Sequence, residues 1–571
     1  MTQRSREEVI QQDVHDLHRL GYAQELFRNM GGFSNFAISF SIISILTGAV
    51  ILYDYGLAWA GTAASLIGWP LVTVFVLCIA AAMAEVASAY PTAGGLYYWA
   101  SRMKGKAWGW WTSWFNLLGQ FAIVAGIAYA AAQFLNVSIV TPILSNFGIG
   151  YTNVTELIHI GTVPILTGGL LTMGILLAIC LILNVRGINL VSLLNQVSVW
   201  WHIAVVALVV VLITFAGKPD QSGMHLFQVE PQDTSFGSWA NVIPFLGINL
   251  SYGQAITYPL FFAFMFSLLQ ANWTYTGYDA SAHVAEETVG ARISSAWGLF
   301  LSVAVSAVAG YVFLFVITTH LPNLDTLFPR QGGATPDSAT YSTYYFGQGY
   351  AVFETLRYNL ATVGALLGAG IAIAMSFCTL ASIASAGRML FAFSRDDGVP
   401  GSGWLKKVSH RYRTPTNSLM TIVVVAFLFT VAAFYVGALG GPGGGGIAIV
   451  IVTAISTIFL YAAYAIPIFL GLTTKPWLGE RVWSLGRWSK PVAVVSLLWI
   501  VVLLVLFSFP TSGNISWPFM AGAVILLLVY YFVWARSRFQ GPRVMGREEE
   551  LTEIEREFEH AAQELGGPAP A

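Results

Sequence analysis

From residue 33 onward the chain alternates long apolar runs with short polar stretches. A helix needs about 20 apolar residues to cross a bilayer. Twelve runs qualify, near 33–53, 58–83, 108–134, 163–184, 196–216, 257–285, 297–319, 353–386, 417–437, 447–473, 491–510 and 515–535. The predicted fold is therefore all-α and integral to a membrane, with twelve transmembrane helices. Ahead of the first run, residues 1–32 read as a polar, amphipathic lead-in; behind the last, residues 536–571 read as a charged helix, REEELTEIEREFEHAAQELGG, and a Pro/Ala end. The longer connections, about 134–162, 217–256 and 320–352, have room for short surface helices, and sequons begin at Asn136 and Asn153.

Charge sets the orientation. An even number of crossings puts both termini on one side, and with the termini cytoplasmic 24 of the 27 Lys and Arg fall on inner segments, leaving Lys218, Arg330 and Arg357 outside. Cytoplasmic termini and a multi-pass place in the cell (plasma) membrane are expected. The first 32 residues have neither the apolar core nor the cleavage site of a secretory signal, so the first run is expected to act as its own insertion signal.

Composition agrees: 56% of residues are hydrophobic, 10% are charged and mean hydropathy is +0.67. A net charge of −1 argues against nucleic acid as a partner. Cys78, Cys180 and Cys378 all fall inside predicted spans and read as packing residues. The run GALGGPGGGGIAIV (437–450) lacks the Gly-Lys-Ser/Thr ending of a phosphate loop and reads as a turn between spans nine and ten. No HExxH, paired CxxC or GxSxG spacing occurs, so no catalytic residue, metal or cofactor is expected, and the chain does not read as an enzyme.

Two spans are interrupted. In FAISFSIISILTGAV (36–50), Ser39, Ser41, Ser44, Thr47 and Gly48 punctuate the first; in QANWTYTGYDAS (270–281), Asn272, Thr274, Thr276, Gly277 and Asp279 fall near the middle of the sixth. Backbone freed from a helix inside a bilayer is tolerated only where it lines a protein cavity. The two interruptions lie five spans apart, at matching places in two five-span units, 33–216 and 257–473, with 491–535 supplying two more spans. Such paired breaks mark the binding site of an inverted-repeat transporter, where half-helix ends can hold a carboxylate and an ammonium together.

These segments also carry a family resemblance. In order, GYAQELFRNMGGFSNFAISFSIISILTG, AEVASAYPTAGGLYYWASRM, WTYTGYDASAHVAEET and SAGRMLFAFSRDDGVP resemble the amino acid–polyamine–organocation (APC) transporter superfamily. The first two look like its amino acid/choline branch, which includes GABA permeases. The resemblance runs from about residue 20 to 535 and implies a secondary transporter with a five-plus-five inverted repeat (LeuT-like fold), broken helices one and six, and alternating access. It places Ser44 to Gly48 on the family's Gly-Ser-Gly segment, which binds the substrate carboxylate, although here only Gly48 is kept of its glycines. Ser41, Ser44, Thr47 and Gly48 are the first-span substrate candidates. In span six the resemblance makes Trp273 an aromatic gate, Thr274, Tyr275 and Thr276 the unwound segment, and Gly277 the residue that permits it.

Asp279 must face protein or water, and three roles are open to it: ammonium counter-ion, proton or conformational switch, or capped structural carboxylate. Glu286 and Glu287 read as gate or loop residues. His202 is the sole ionisable residue of span five, where several proton-coupled relatives carry a lysine, so it is a candidate for proton coupling. Thr379 and Ser382 offer hydroxyls for a sodium ion instead. Trp110, Trp111 and Trp114 either anchor span three at the interface or join Tyr275 in a cage for a quaternary ammonium. The reading that results is an importer of an amino acid or amino-acid-like amine, GABA first, driven by protons. Polyamine or choline-type transport and sodium symport are the alternatives, and a non-translocating sensor is a different class.

Overall fold

The computed structural model describes residues 5–160, 163–219, 224–229, 260–322, 350–439, 444–474, 480–508 and 516–564. Most of the connections 217–256 and 320–352, and the centre of the glycine run at 440–443, lie outside the described residues. Among those described, eleven helices are long and apolar enough to cross a membrane, and the shorter apolar helix Leu260–Thr274 stands at the sixth run.

Span one comprises Gly32–Ile43 and Ile45–Ile51; span two is Trp69–Ala89, three Lys106–Leu135, four Gly168–Val185 and five Ile188–Ala216. Span six is in pieces, Leu260–Ser267, Leu269–Thr274 and Ala280–His283. Spans seven to twelve are Ala291–Thr319, Tyr350–Arg395 (two helices that meet at a kink at Ala361, φ 49°), Thr416–Leu439, Gly444–Thr473, Ser489–Ser508 and Ser516–Tyr530.

Three departures from the hydropathy reading have local causes. The connection before span four holds the expected short helix, Thr141–Ser145, and then a hairpin, strand β1 (Glu156–Ile160) antiparallel to strand β2 (Val163–Thr167), the second strand taking the place of the expected start of span four. A short apolar run rich in β-branched residues has no period that separates strand from helix. The Thr167 side chain accepts from the Leu170 amide, so the helix begins only beyond it. Span two runs from 69 to 89 rather than 58 to 83, because Tyr53–Ala60 is a helix of its own and the later end carries Glu85. That acid is buried but paired with Arg481 at 2.9 Å and accepts from Ser489 at 2.7 Å. Span eight extends to Arg395, beyond the predicted 386, because Arg388 and Arg395 are also paired.

Without a hydrophobic drive between helices in lipid, close packing and hydrogen bonds hold the spans together. Trp69 donates to the Ala307 carbonyl at 3.0 Å, tying span two to seven. Asn184 donates to Leu380 at 3.1 Å and Trp201 to Gly370 at 2.8 Å, tying spans four and five to eight. Leu208, Val211, Leu428 and Val505 face outward, whereas spans one, six and ten are buried along most of their lengths. The two interrupted spans thus lie at the centre of the molecule. Asn136 is buried too, donating to Asn153 at 2.8 Å and accepting from Thr172, so its sequon offers no accessible amide.

Candidate functional site

Span one breaks at a single residue. Ser44 adopts φ 33° and ψ 87°, in the left-handed region, a conformation that costs a residue with a side chain about 1–2 kcal/mol. Side-chain contacts hold it there. The Ser44 hydroxyl lies 2.6 Å from that of Thr47 and 2.8 Å from Nε2 of His202. His202 Nδ1 lies 2.8 Å from the Ser198 carbonyl, which can only accept. Nδ1 therefore carries the hydrogen, Nε2 accepts from Ser44, and Ser44 accepts from Thr47. Ser41 donates to Ser198 at 2.8 Å, so span five grips the break twice.

The helix resumes at once, the amides of Thr47 and Gly48 both returning to the Ser44 carbonyl. Ile45 and Leu46 precede those bonds and form the amide-rich start of the second half-helix. On the other side of the break, the Ile42 carbonyl receives the Cys378 thiol at 3.2 Å.

Span six unwinds over Tyr275–Asp279. Gly277 has φ +87°, and a Cβ there would run into Ile42 across the break; glycine meets both demands. Its amide donates to Tyr464 of span ten at 3.3 Å, and the Asn272 carbonyl accepts from Tyr461 at 3.2 Å. The two breaks are bonded to each other: Ser39 donates to the Tyr278 carbonyl at 2.8 Å and accepts from the Ser281 amide at 2.9 Å. Gly48 packs against Thr274 so closely that a Cβ would lie 2.7 Å from its Cα.

Asp279 is fully buried beside these bonds. Its Oδ1 accepts from Tyr464 at 2.8 Å; its Oδ2 accepts from Asn116 at 2.9 Å and Gln120 at 3.4 Å on span three, and lies 3.1 Å from Nε2 of His283. It heads the helix Ala280–His283 without capping it. Its side chain turns instead to spans three and ten, whose donors satisfy the carboxylate.

Of the predicted residues, Ser41, Ser44, Thr47 and His202 form one connected cluster, and Gly48, Thr274 and Gly277 line the contact between the breaks. Thr47 and Gly48 are helical, so the first break is narrower than Ser44 to Gly48. Thr274 is the last helical residue rather than an unwound one, its hydroxyl donating one turn back to Gln270 at 2.6 Å. Thr276 is unwound and donates to the Trp273 carbonyl at 2.6 Å. Trp273 lies against Gly126 of span three, with its ring nitrogen donating to Ser456 of span ten at 3.0 Å.

Tyr275 packs on Trp69 with ring centres 4.7 Å apart and planes tilted by 43°, and bonds Thr73 at 2.6 Å. The three tryptophans of span three pack elsewhere, Trp110 and Trp114 on Tyr530 and Trp111 on Tyr531, so the cage with Tyr275 is not formed. Thr379 and Ser382 each donate one turn back in span eight. Cys378, expected only to pack, also makes a polar contact, its thiol donating to the Ile42 carbonyl. His283, Asn116, Tyr461 and Tyr464 were not singled out in the sequence. The four-residue spacing of Asp279 and His283 is the one signal that could have found a member of this group.

The site is closed on both sides. Toward the expected outer face, Tyr53 and Thr318 hydroxyls meet at 2.8 Å, and Asp54 accepts from the Ala351 amide at 3.0 Å. Toward the inner face, Arg388 grips Glu287 at 2.8 and 3.1 Å, and Arg395 grips Glu286 at 2.9 and 3.1 Å, all four side chains being buried. Arg28 of the lead-in crosses beneath them to the carbonyls of Ala285 and Thr288.

A family model described as amino acid permease matches residues 30–530. The chain is 33% identical over 538 residues to amino-acid permease BAT1 of Arabidopsis thaliana, covering 92% of this chain and 95% of that one. It is 25% identical to a Candida albicans protein named "Putative polyamine transporter", covering 95% and 91%, and 26% identical to thiamine transporter thi9 of Schizosaccharomyces pombe, covering 92% and 86%. A multi-pass helical chain whose likeness to permeases runs through nearly its whole length is a membrane transporter and not an enzyme. The chain belongs to the amino acid permease family of the APC superfamily.

Proposed function

We propose that the protein is a secondary active transporter that imports an amino acid or amino-acid-like amine, with GABA the first candidate, across the plasma membrane by alternating access coupled to protons. The observation that carries this reading is the pairing of the two breaks: two interrupted helices side by side, bonded through Ser39 and packed Gly48 against Thr274, in a site closed on both faces. Two five-span repeats, 33–216 and 257–473, account for the pairing, with spans eleven and twelve at 491–535 outside them. Cytoplasmic termini follow from the charge distribution, and residues 1–32 and 536–571 belong to the inner face.

In this mechanism the amide-rich start at Ile45 and Leu46 receives the carboxylate, and the carbonyl end of the helix at Thr274 receives the amine. Ser41, Ser44 and Thr47 shape the first break, and Tyr275, Thr276 and Gly277 the second. Trp273 closes over the substrate. Opening inward then separates Arg388 from Glu287 and Arg395 from Glu286. Asp279, already bonded by Asn116, Gln120 and Tyr464 and in contact with His283, is better suited to hold the breaks in register than to meet an ammonium directly. His202 supports the first break as a neutral imidazole.

Polyamine or choline-type amines are the second reading, favoured by the names of two relatives and by the aromatic pair Tyr275 and Trp69 beside the second break, whose rings would suit a cationic nitrogen if they part. The test is uptake of labelled GABA into proteoliposomes, sodium-free, with and without an inward proton gradient, against unlabelled amino acids, putrescine and choline. Gradient-stimulated accumulation is expected. Accumulation that needs sodium would move coupling toward Thr379 and Ser382, and exclusion of GABA in favour of putrescine or choline would replace the substrate.

A further inference from the structure

We propose that Asp279 and His283 together hold a single proton, and that this shared proton is the one coupled to transport. The proposal rests on the transporter reading above and names the site that its coupling requires.

The argument is one of counting hydrogens. His283 Nδ1 lies 3.2 Å from the Ala93 carbonyl and Nε2 lies 3.1 Å from Asp279 Oδ2, both side chains being fully buried. A carbonyl oxygen only accepts, so Nδ1 bears a hydrogen. The contact between Nε2 and Oδ2 then needs one more, carried by the ring as an imidazolium or by the carboxyl as an acid. Without it, two lone pairs would face each other in a buried site beside an uncompensated carboxylate, which is strongly unfavourable. Release of the proton must therefore be accompanied by movement of the ring or of the carboxylate.

The partners of the pair make that movement matter. Asp279 follows Gly277, and its other donors, Asn116, Gln120 and Tyr464, lie on spans three and ten. His283 leans on the loop after span two, where a Cβ on Gly95 would lie 3.2 Å from its ring. The proton thus sits where the inner half of span six meets spans three and ten.

The other titratable or charged groups around the pair are accounted for. Tyr464 donates to Oδ1, and the ring of Tyr278 lies on that of Tyr464 with centres 5.2 Å apart. Tyr461 donates to the Asn272 carbonyl. Glu286 is paired with Arg395 and accepts from the Ala93 amide at 3.0 Å, and Glu287 is paired with Arg388. His202 has both nitrogens satisfied in its neutral form and needs no second hydrogen.

Two measurements test this on the full-length protein in lipid vesicles. Infrared difference spectra across a pH titration should contain a carboxyl and imidazole change that is missing from both Asp279→Asn and His283→Gln. Spectra of the variants that superimpose on wild type would overturn the proposal. In the transport arm, labelled GABA, putrescine and choline are offered as probes in counterflow and in proton-gradient-driven uptake. His283→Gln should keep counterflow and lose accumulation, while His560→Gln, at an exposed histidine of the C-terminal helix, keeps both. Accumulation retained by His283→Gln would overturn the assignment. Loss of counterflow in both Asp279→Asn and His283→Gln would also count against it, because a coupling proton must be separable from exchange. A wild type that exchanges a probe but accumulates none under a proton gradient, while the titration signature persists, would instead remove proton coupling itself and leave the pair a buried proton site without that role.

Discussion

Replacing Gly48 by alanine puts a methyl group between the two breaks. The new Cβ would lie 2.7 Å from both Cα and Cβ of Thr274, well short of the 3.4 Å of ordinary contact. Thr274 cannot swing aside freely, because one of those atoms is backbone and its hydroxyl is bonded to Gln270. Spans one and six must therefore separate by roughly 1 Å, and overpacking of this kind costs about 1–3 kcal/mol. Alanine also brings a helix-propensity gain of about 1 kcal/mol over glycine, which Gly522→Ala isolates: that glycine is in span twelve with nothing within 4 Å of a Cβ. Propensity cancels between the two variants, so Gly48→Ala should be the weaker by about 1–3 kcal/mol, or about 5- to 150-fold in affinity if the loss falls on substrate binding. Apparent melting temperature in detergent and binding of the transported amine are the assays. A Gly48→Ala protein as stable and as avid as Gly522→Ala would refute the contact between the breaks.

At the inner gate, Arg388→Met strands Glu287 in a buried site, which should cost about 3–5 kcal/mol and shift the protein toward inward-open forms. Labelling of Cys378 by a thiol reagent, in a Cys78→Ala/Cys180→Ala background, should accelerate, and adding Glu287→Gln should reverse much of the change; an unaltered rate would place the gate elsewhere. Trp273→Ala removes the ring against Gly126 and its bond to Ser456, so both affinity and uptake should fall, and unchanged values would remove its gate role. Just beyond span eight, burial raises the carboxyl of Asp396 above the usual aspartate range, opposed by Arg395, the Arg543 amide and the hydroxyls of Tyr22 and Tyr97. An acid whose pKa rises on folding binds more protons folded than unfolded, so its contribution to stability weakens as pH climbs through the raised value. Hydrogen exchange of the amides around Tyr22 and Arg543, corrected for intrinsic rates, should be slower at mildly acidic than at neutral pH; the opposite trend would contradict the assignment.

The spans were legible because crossing a bilayer imposes a length and a composition, and hydropathy reads both directly. It failed where charge is compensated inside the fold, as at Glu85, Arg388 and Arg395, whose partners are distant in sequence. The breaks were legible as clusters of hydroxyls and glycine, but their widths were not. Ser44 alone leaves the helical region because His202 and Thr47 hold it there, and Thr274 stays helical because its hydroxyl bonds back to its own turn. The environment of Asp279 was hidden almost wholly, since Asn116, Gln120 and Tyr464 come from two other spans. The tails carried no visible chemistry in the sequence, yet the helices Arg6–Arg19 and Glu548–Glu564 meet through His18 and Glu555 at 2.8 Å, and Phe558 stacks on His410. The first of those contacts joins residues 537 positions apart, and both join segments that no local pattern relates.

The central claim is that substrate binds between the breaks of spans one and six, and Cys378 reports on that place, its thiol donating to the Ile42 carbonyl at the first break. In the Cys78→Ala/Cys180→Ala protein, with Arg388→Met added to admit reagent, Cys378 labelling should be timed with and without a saturating concentration of whichever amine the uptake assay identifies. Protection that follows the same concentration dependence as uptake is the predicted result. A labelling rate indifferent to a transported substrate would contradict the account and put the binding site elsewhere in the molecule.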